Sequence, residues 1–177
     1  MKNLKLILIL FISISLTNCS SDDDTPPFLL SNANIAGTYE IGSLTGTETE
    51  TATSSSGAIV NLSNATILGA NFQINFALSA SGTYTISGLY REVKRTTPNG
   101  GSASETEELL NIDSAGNYQI NTSDNSITFS PTSGNFLSGK FDVNTFTTTI
   151  LSISQETDEN VGSNTISKSI NIGFTKE

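Results

Sequence analysis

The residues able to do chemistry in this chain are few in kind. Its 177 residues include no histidine, no tryptophan and one cysteine, Cys19. A histidine-ligated metal, a Ser–His or Cys–His pair and a disulfide framework therefore cannot be assembled. Serines and threonines are abundant but have no imidazole to activate them. Lys94, Lys140 and Lys168 are the candidate bases, and none stands in a Ser-x-x-Lys frame. Glu105, Glu107 and Glu108 could form the paired carboxylates of a hydrolase. They come after Pro98-Asn99-Gly100-Gly101, however, and Arg91, Lys94 and Arg95 precede it. A charged hairpin, 89–96 paired with 105–112 around a loop near Gly100, explains all six charges, with each opposite pair worth roughly 0.2–1 kcal/mol. Gly100-Gly101 opens no helix, so it is no phosphate loop. No catalytic residue, metal site or cofactor is expected, and the chain reads as a non-enzyme. Seventeen acidic residues against eight basic ones, a net charge of −9, argue against nucleic acid as a partner.

The N-terminus carries an address. Lys2 and Lys5 precede an apolar run, 6–16, broken by Ser13 and Ser15. The run is too short for a membrane span and fits a secretory signal. Leu16-Thr17-Asn18-Cys19 closes it and resembles the lipobox of bacterial lipoproteins, with Asn18 where Gly or Ala is usual, a looseness of the Bacteroidota type. The resemblance implies a signal peptide over 1–18 and acylation of Cys19, the partner being the membrane itself. Several acyl chains make such an anchor effectively permanent. The processed chain would carry six basic and 17 acidic residues.

Residues 19–33 read as a tether. Ser20, Ser21, Asp22, Asp23 and Asp24 come first, and Pro26-Pro27 stiffens the middle of the segment. Calcium loops alternate their ligands around a turn, which three adjacent aspartates do not. The serine-acid run resembles the export signal of Bacteroidota surface lipoproteins. That implies an outer-membrane protein facing the cell exterior; the plainer reading is a solvated spacer.

From residue 34 to 177 apolar residues recur every second position. Phe72, Ile74, Phe76 and Leu78 form the clearest strand; Tyr39 with Ile41, Tyr84 with Ile86, Tyr118 with Ile120, Ile127 with Phe129 and Phe141 with Val143 behave alike. This period predicts one all-β, antiparallel domain of about 8–10 strands with two or three longer loops, an up-and-down barrel or alternatively a β-sandwich. Ile35-Ala36-Gly37-Thr38-Tyr39-Glu40-Ile41 resembles the opening strand of lipocalin-like domains. Gly82-Thr83-Tyr84-Thr85-Ile86 and Gly116-Asn117-Tyr118-Gln119-Ile120 resemble the cadence of lipocalin-like lipoproteins of Bacteroidota. The resemblance implies a monomeric barrel binding a small apolar or amphipathic ligand.

Tyr39, Phe72, Ile74, Phe76, Tyr84, Tyr118, Phe129 and Phe141 are then the candidate interior residues. They either line a cavity or fill the barrel by packing on one another. The alternative function is a structural or adhesive surface module binding glycan or protein at loop tips, with Tyr90 and Phe136 as candidate exposed rings. Asp113-Ser114-Ala115 resembles the O-glycosylation acceptor of Bacteroidota, which would modify Ser114; otherwise 113–116 is a turn.

Overall fold

The computed structural model describes residues 28–177. The expected signal peptide, Cys19 and the run 20–24 lie outside the described residues.

Eight antiparallel strands run in up-and-down order and close into a barrel, β8 pairing with β1. They are β1 (Gly37–Thr53), β2 (Ile59–Leu78), β3 (Thr83–Pro98), β4 (Ser104–Asn121), β5 (Ser126–Ser133), β6 (Gly139–Phe146), β7 (Ile150–Val161) and β8 (Asn164–Lys176). The barrel expectation holds and the sandwich does not. The hairpin holds as well: Arg95 faces Glu105 and Leu89 faces Asn111 across β3 and β4. The two or three longer loops are absent among the described residues, because the polar stretches expected to form them are continuations of strands.

One turn of helix, α1 (Asn32–Ile35), precedes β1. The Ser31 hydroxyl caps it by accepting from the Asn34 amide at 3.3 Å. Leu30 and Ile35 are buried, so the packed body reaches back beyond residue 34 into the expected tether. Phe28 packs at a tilt on Phe146 with centroids 4.9 Å apart. The chain thus joins the barrel at the end where the 79–82, 122–125 and 147–149 turns lie.

Inward positions of the strands near this end are apolar. Ile41, Ile74, Phe76, Ile86, Ile127, Phe129, Phe141, Leu151, Ile153, Ile172 and Phe174 are all buried and form one cluster. Each such side chain contributes about 1.5–3 kcal/mol of transfer free energy. Outward positions are Thr38, Glu40, Thr45, Gln73, Asn75, Thr83, Thr85 and Asn117, all exposed. A membrane-spanning barrel reverses this polarity, with an apolar band outside. No helix among the described residues is long and apolar enough to cross a membrane.

The strands are unequal. β2 has 20 residues and β4 has 18, whereas β5 and β6 have 8 each. β2 and β3 approach tightly at Gly88, whose φ is +139°; a Cβ there would collide with the Gln73 carbonyl oxygen. Only glycine fits that crossing.

Candidate functional site

The eight candidate interior residues all point into the barrel, and they fill it. Phe76 lies 4.9 Å from Phe174 and 6.3 Å from Phe129, centroid to centroid. Phe129 meets Tyr84 edge-on at 5.1 Å and Phe141 at 5.7 Å. These are favourable aromatic geometries. A space large enough for water would leave accessible surface on the side chains around it. Phe76, Ile86, Ile127, Leu151 and Ile153 retain 0%. Of the two readings for these residues, the filled barrel is the one observed.

The tyrosines of the Gly-x-Tyr units do a second job. The Tyr39 hydroxyl donates to the Ile35 carbonyl at 2.5 Å, tying α1 to the core. Tyr118 donates to the Ser79 carbonyl at 2.6 Å, and Tyr84 to the Leu137 carbonyl at 3.0 Å. Each ring is buried while its hydroxyl satisfies a carbonyl outside the strands. Burial, followed by the nearby Tyr118, pushes the Tyr39 hydroxyl up to about 12.

Ser114 lies in a strand and not in a turn. Residues 113–116 lie within β4, and the Ser114 hydroxyl points inward, donating to the Ser133 carbonyl at 2.9 Å. With 1% exposure it is out of reach of an enzyme acting on the folded chain. The three-residue motif carries no strand phase, and here the phase turns the hydroxyl inward.

Tyr90 and Phe136 are not loop-tip rings either. Tyr90 is buried, and Phe136 packs on it edge-on at 6.1 Å. Phe72, partly buried, stacks on the other side of Tyr90 at 5.9 Å. Its ring covers Gly69, where a Cβ would fall 2.6 Å from the Phe72 ring. An irregularity in the β2–β3 register between Ala70 and Gln73, with Asn71 at φ 55°, brings Phe72 inward.

These rings are a floor. Six strands continue past them, beyond the short β5–β6 hairpin. β4 pairs with β5 only as far as Ala115 and Ser133, but with β3 as far as Ser104. β7 pairs with β6 only as far as Ser154, but with β8 as far as Val161. The upper strands therefore form an open cup, in the order β4-β3-β2-β1-β8-β7, with one side left unfilled by the described residues. Its apolar floor is Ile67, Phe72, Leu110, Phe136 and Ile170, all partly buried against the core. A concavity of about 410 Å³ opens beside it, lined by Tyr90, Leu110, Ile112, Gly134, Asn135 and Phe136 among others.

The cup wall is charged. Lys94 on β3 reaches over β2 to Glu48 on β1 at 2.9 Å, and Lys168 on β8 approaches Glu48 at 3.8 Å. Glu50 accepts from the Asn164 amide at 2.7 Å. The Tyr90 hydroxyl donates to Glu92 at 3.2 Å. Burial above all, then the Glu92 carboxylate, hold that hydroxyl protonated far into the alkaline range. Of the hairpin charges, Arg91 pairs with Glu107 at 2.9 Å on the outer surface, whereas Lys94 turns inward to Glu48. Sequence reasoning missed the cup because Glu48, Glu50, Glu92, Lys94 and Lys168 interrupt the apolar alternation of its inward face.

No family model matches the chain, and no curated protein matches it. Among solved structures the chain is similar to Ail, the attachment invasion locus protein of Yersinia pestis. The likeness is 6% identity over 81% of this chain and 100% of that one, with a TM-score of 0.25. At that score it carries no argument about function.

Proposed function

We propose that this chain is a lipid-anchored, surface-exposed β-module that binds a partner in the open cup and catalyses nothing. The observation that supports it is the division of the barrel. One end is packed solid, and the other flares into a cup with an apolar floor and a charged wall. The expectation of an apolar ligand enclosed by the barrel gives way, since the interior has no space for one. Between an enclosed-ligand carrier and a surface module that engages protein or glycan, the geometry favours the surface module.

Orientation supports the same reading. Phe28 and α1 sit at the closed end, so a chain anchored at Cys19 would hold the cup away from the bilayer. The cup would then meet whatever lies outside the cell. The acidic run 22–24 supplies the export reading, for contiguous carboxylates cannot pack in a core and suit a transport partner that reads clustered charge.

Whole-cell protease shaving tests the location. The native chain should be shaved, and the combined Asp22→Ala, Asp23→Ala and Asp24→Ala variant should remain acylated but protected. Equal shaving of both would leave only the spacer role. A photo-crosslinking residue at Thr106, in the cup, against one at Asn117, on the outside of the closed end, tests the site on the same cells. Adducts should form at position 106 alone; identical adducts at both positions would defeat the cup reading.

A further inference from the structure

The missing side of the cup exposes two strand edges. Residues 104–112 of β4 and 156–161 of β7 each have a ladder partner on one side only. Lower in the barrel, β5 and β6 fill the interval between β4 and β7. Above them nothing among the described residues does. An unpaired edge presents a row of free N–H and C=O groups that can accept another strand.

Both edges carry charge of one sign. Glu105, Glu107 and Glu108 lie on the β4 stretch, and Glu156, Asp158 and Glu159 on the β7 stretch, with no Lys or Arg in either. Arg91 answers Glu107, and Lys168 lies 3.9 Å from Glu159. Glu105, Glu108, Glu156 and Asp158 have no ion pair among the described residues. Beside the β4 acids lie Leu109, 68% exposed, and the floor residues Leu110 and Phe136.

We infer that the β4 edge receives an extended cationic segment of a partner protein by strand addition. Its backbone would extend the sheet over the β5–β6 hairpin. Alternate side chains would fall on Leu110 and Phe136 inside the cup and on Leu109 outside it, and its lysines or arginines would answer the acids on both edges. A second copy of this chain is a poor occupant, because it would bring the same carboxylates against themselves. This inference rests on the reading of the cup as the binding end.

The test uses the full acylated chain in detergent micelles and a peptide of about eight residues alternating lysine and valine, long enough for one strand. Binding is followed by fluorescence anisotropy, and the bound region by amide hydrogen exchange. The peptide should bind and protect amides within 104–112. Its glutamate–valine counterpart and a version N-methylated at every residue should not bind. Replacing Glu105, Glu107 and Glu108 together by lysine should weaken binding about ten-fold or more and admit the glutamate–valine peptide. The same variant's own exchange pattern in β1 and β2 shows whether it folds. Binding without protection of 104–112 would reduce the effect to diffuse charge attraction and overturn the inference. Protection that appears without peptide and grows with protein concentration would assign the edge to self-pairing, with the same consequence. If crosslinks form at position 106 on cells while the peptide fails to bind, the cup remains the binding end and strand addition alone is lost.

Discussion

Strand β1 runs through both ends of the barrel and obeys different rules in each. From Gly37 to Gly46 its inward side chains are Tyr39, Ile41 and Leu44, each buried. From Glu48 onward they are Glu48, Glu50 and Ala52, partly open to solvent. β3 changes in the same way, from Tyr84 and Ile86 to Glu92 and Lys94, and β8 from Phe174 and Ile172 to Lys168. Each of these strands stays paired through both ends, and the register shifts of β1 fall in both, between Glu40 and Thr45 and between Glu50 and Thr51, so backbone pairing does not distinguish the ends. Burial does. The closed end supplies the transfer free energy that offsets the entropy of ordering the chain. The cup is held up by continuity with it, and low local burial leaves such a region free to carry function.

That division is broken most directly in the aromatic cluster. Phe76 has 0% exposure and touches rings from β1, β3, β5 and β8. Phe76→Ala should cost about 3–5 kcal/mol in urea unfolding. A loss under about 1 kcal/mol would show that the closed end does not hold the fold together.

Alkaline pH should act next. Tyr39, Tyr90 and Tyr118 all ionise above their ordinary value of 10, chiefly because burial penalises the phenolate. Between pH 10 and 12 the unfolded chain therefore binds fewer protons than the native one. Each hydroxyl kept protonated lowers stability by up to about 1.4 kcal/mol per pH unit as pH rises through that window, and has no such effect below 10. Urea midpoints from pH 9 to 12, read beside tyrosine absorbance, check this. Tyr39→Phe should flatten the slope, while Glu48→Gln, a cup charge that faces none of these hydroxyls, should not.

Gly88 tests the seam between β2 and β3 just below the cup floor. Gly88→Ala forces a Cβ onto the Gln73 carbonyl at a positive φ and should cost about 1–3 kcal/mol. Hydrogen exchange should place the damage in β2 and β3 first.

The sequence told these regions apart unevenly. Tyr39, Phe76, Tyr84, Tyr118, Phe129 and Phe141 were legible as interior residues because polar neighbours flank them on exposed faces. An up-and-down order of about 8–10 strands came from that period and from turns such as 122–125, and the barrel has eight. The upper strands were harder. Ala58, Val60 and Leu62 alternate as a buried face would, yet Val60 is 42% exposed, because it lies on the cup and not on the core. Glu92 and Lys94 face inward while Arg91 and Arg95 face outward, and charge on both faces hides which is which. Phe72 sits beyond an irregularity that periodicity cannot locate. The helix α1 is a single capped turn, too short to show a 3.6-residue period.

The smallest expected effect separates the two ends most sharply. Glu48 looks like a structural keystone, bridging Lys94 at 2.9 Å and Lys168 at 3.8 Å across four strands. Both lysines are nonetheless substantially exposed, at 31% and 45% of their side chains, so solvent screens their attraction. Ordering two long side chains also costs entropy, and such pairs contribute about 0–1 kcal/mol. Glu48→Gln should therefore lower stability by no more than about 1 kcal/mol, with a coupling to Lys94→Met near 0.5 kcal/mol in a double-mutant cycle. Molar salt should erase that coupling. The closed end predicts the opposite behaviour for Phe76→Ala, whose cost should be indifferent to salt screening. If Glu48→Gln instead cost about 3 kcal/mol and resisted salt, the cup would be a second core, its charges would be committed to holding the strands, and it would not be free to receive a partner.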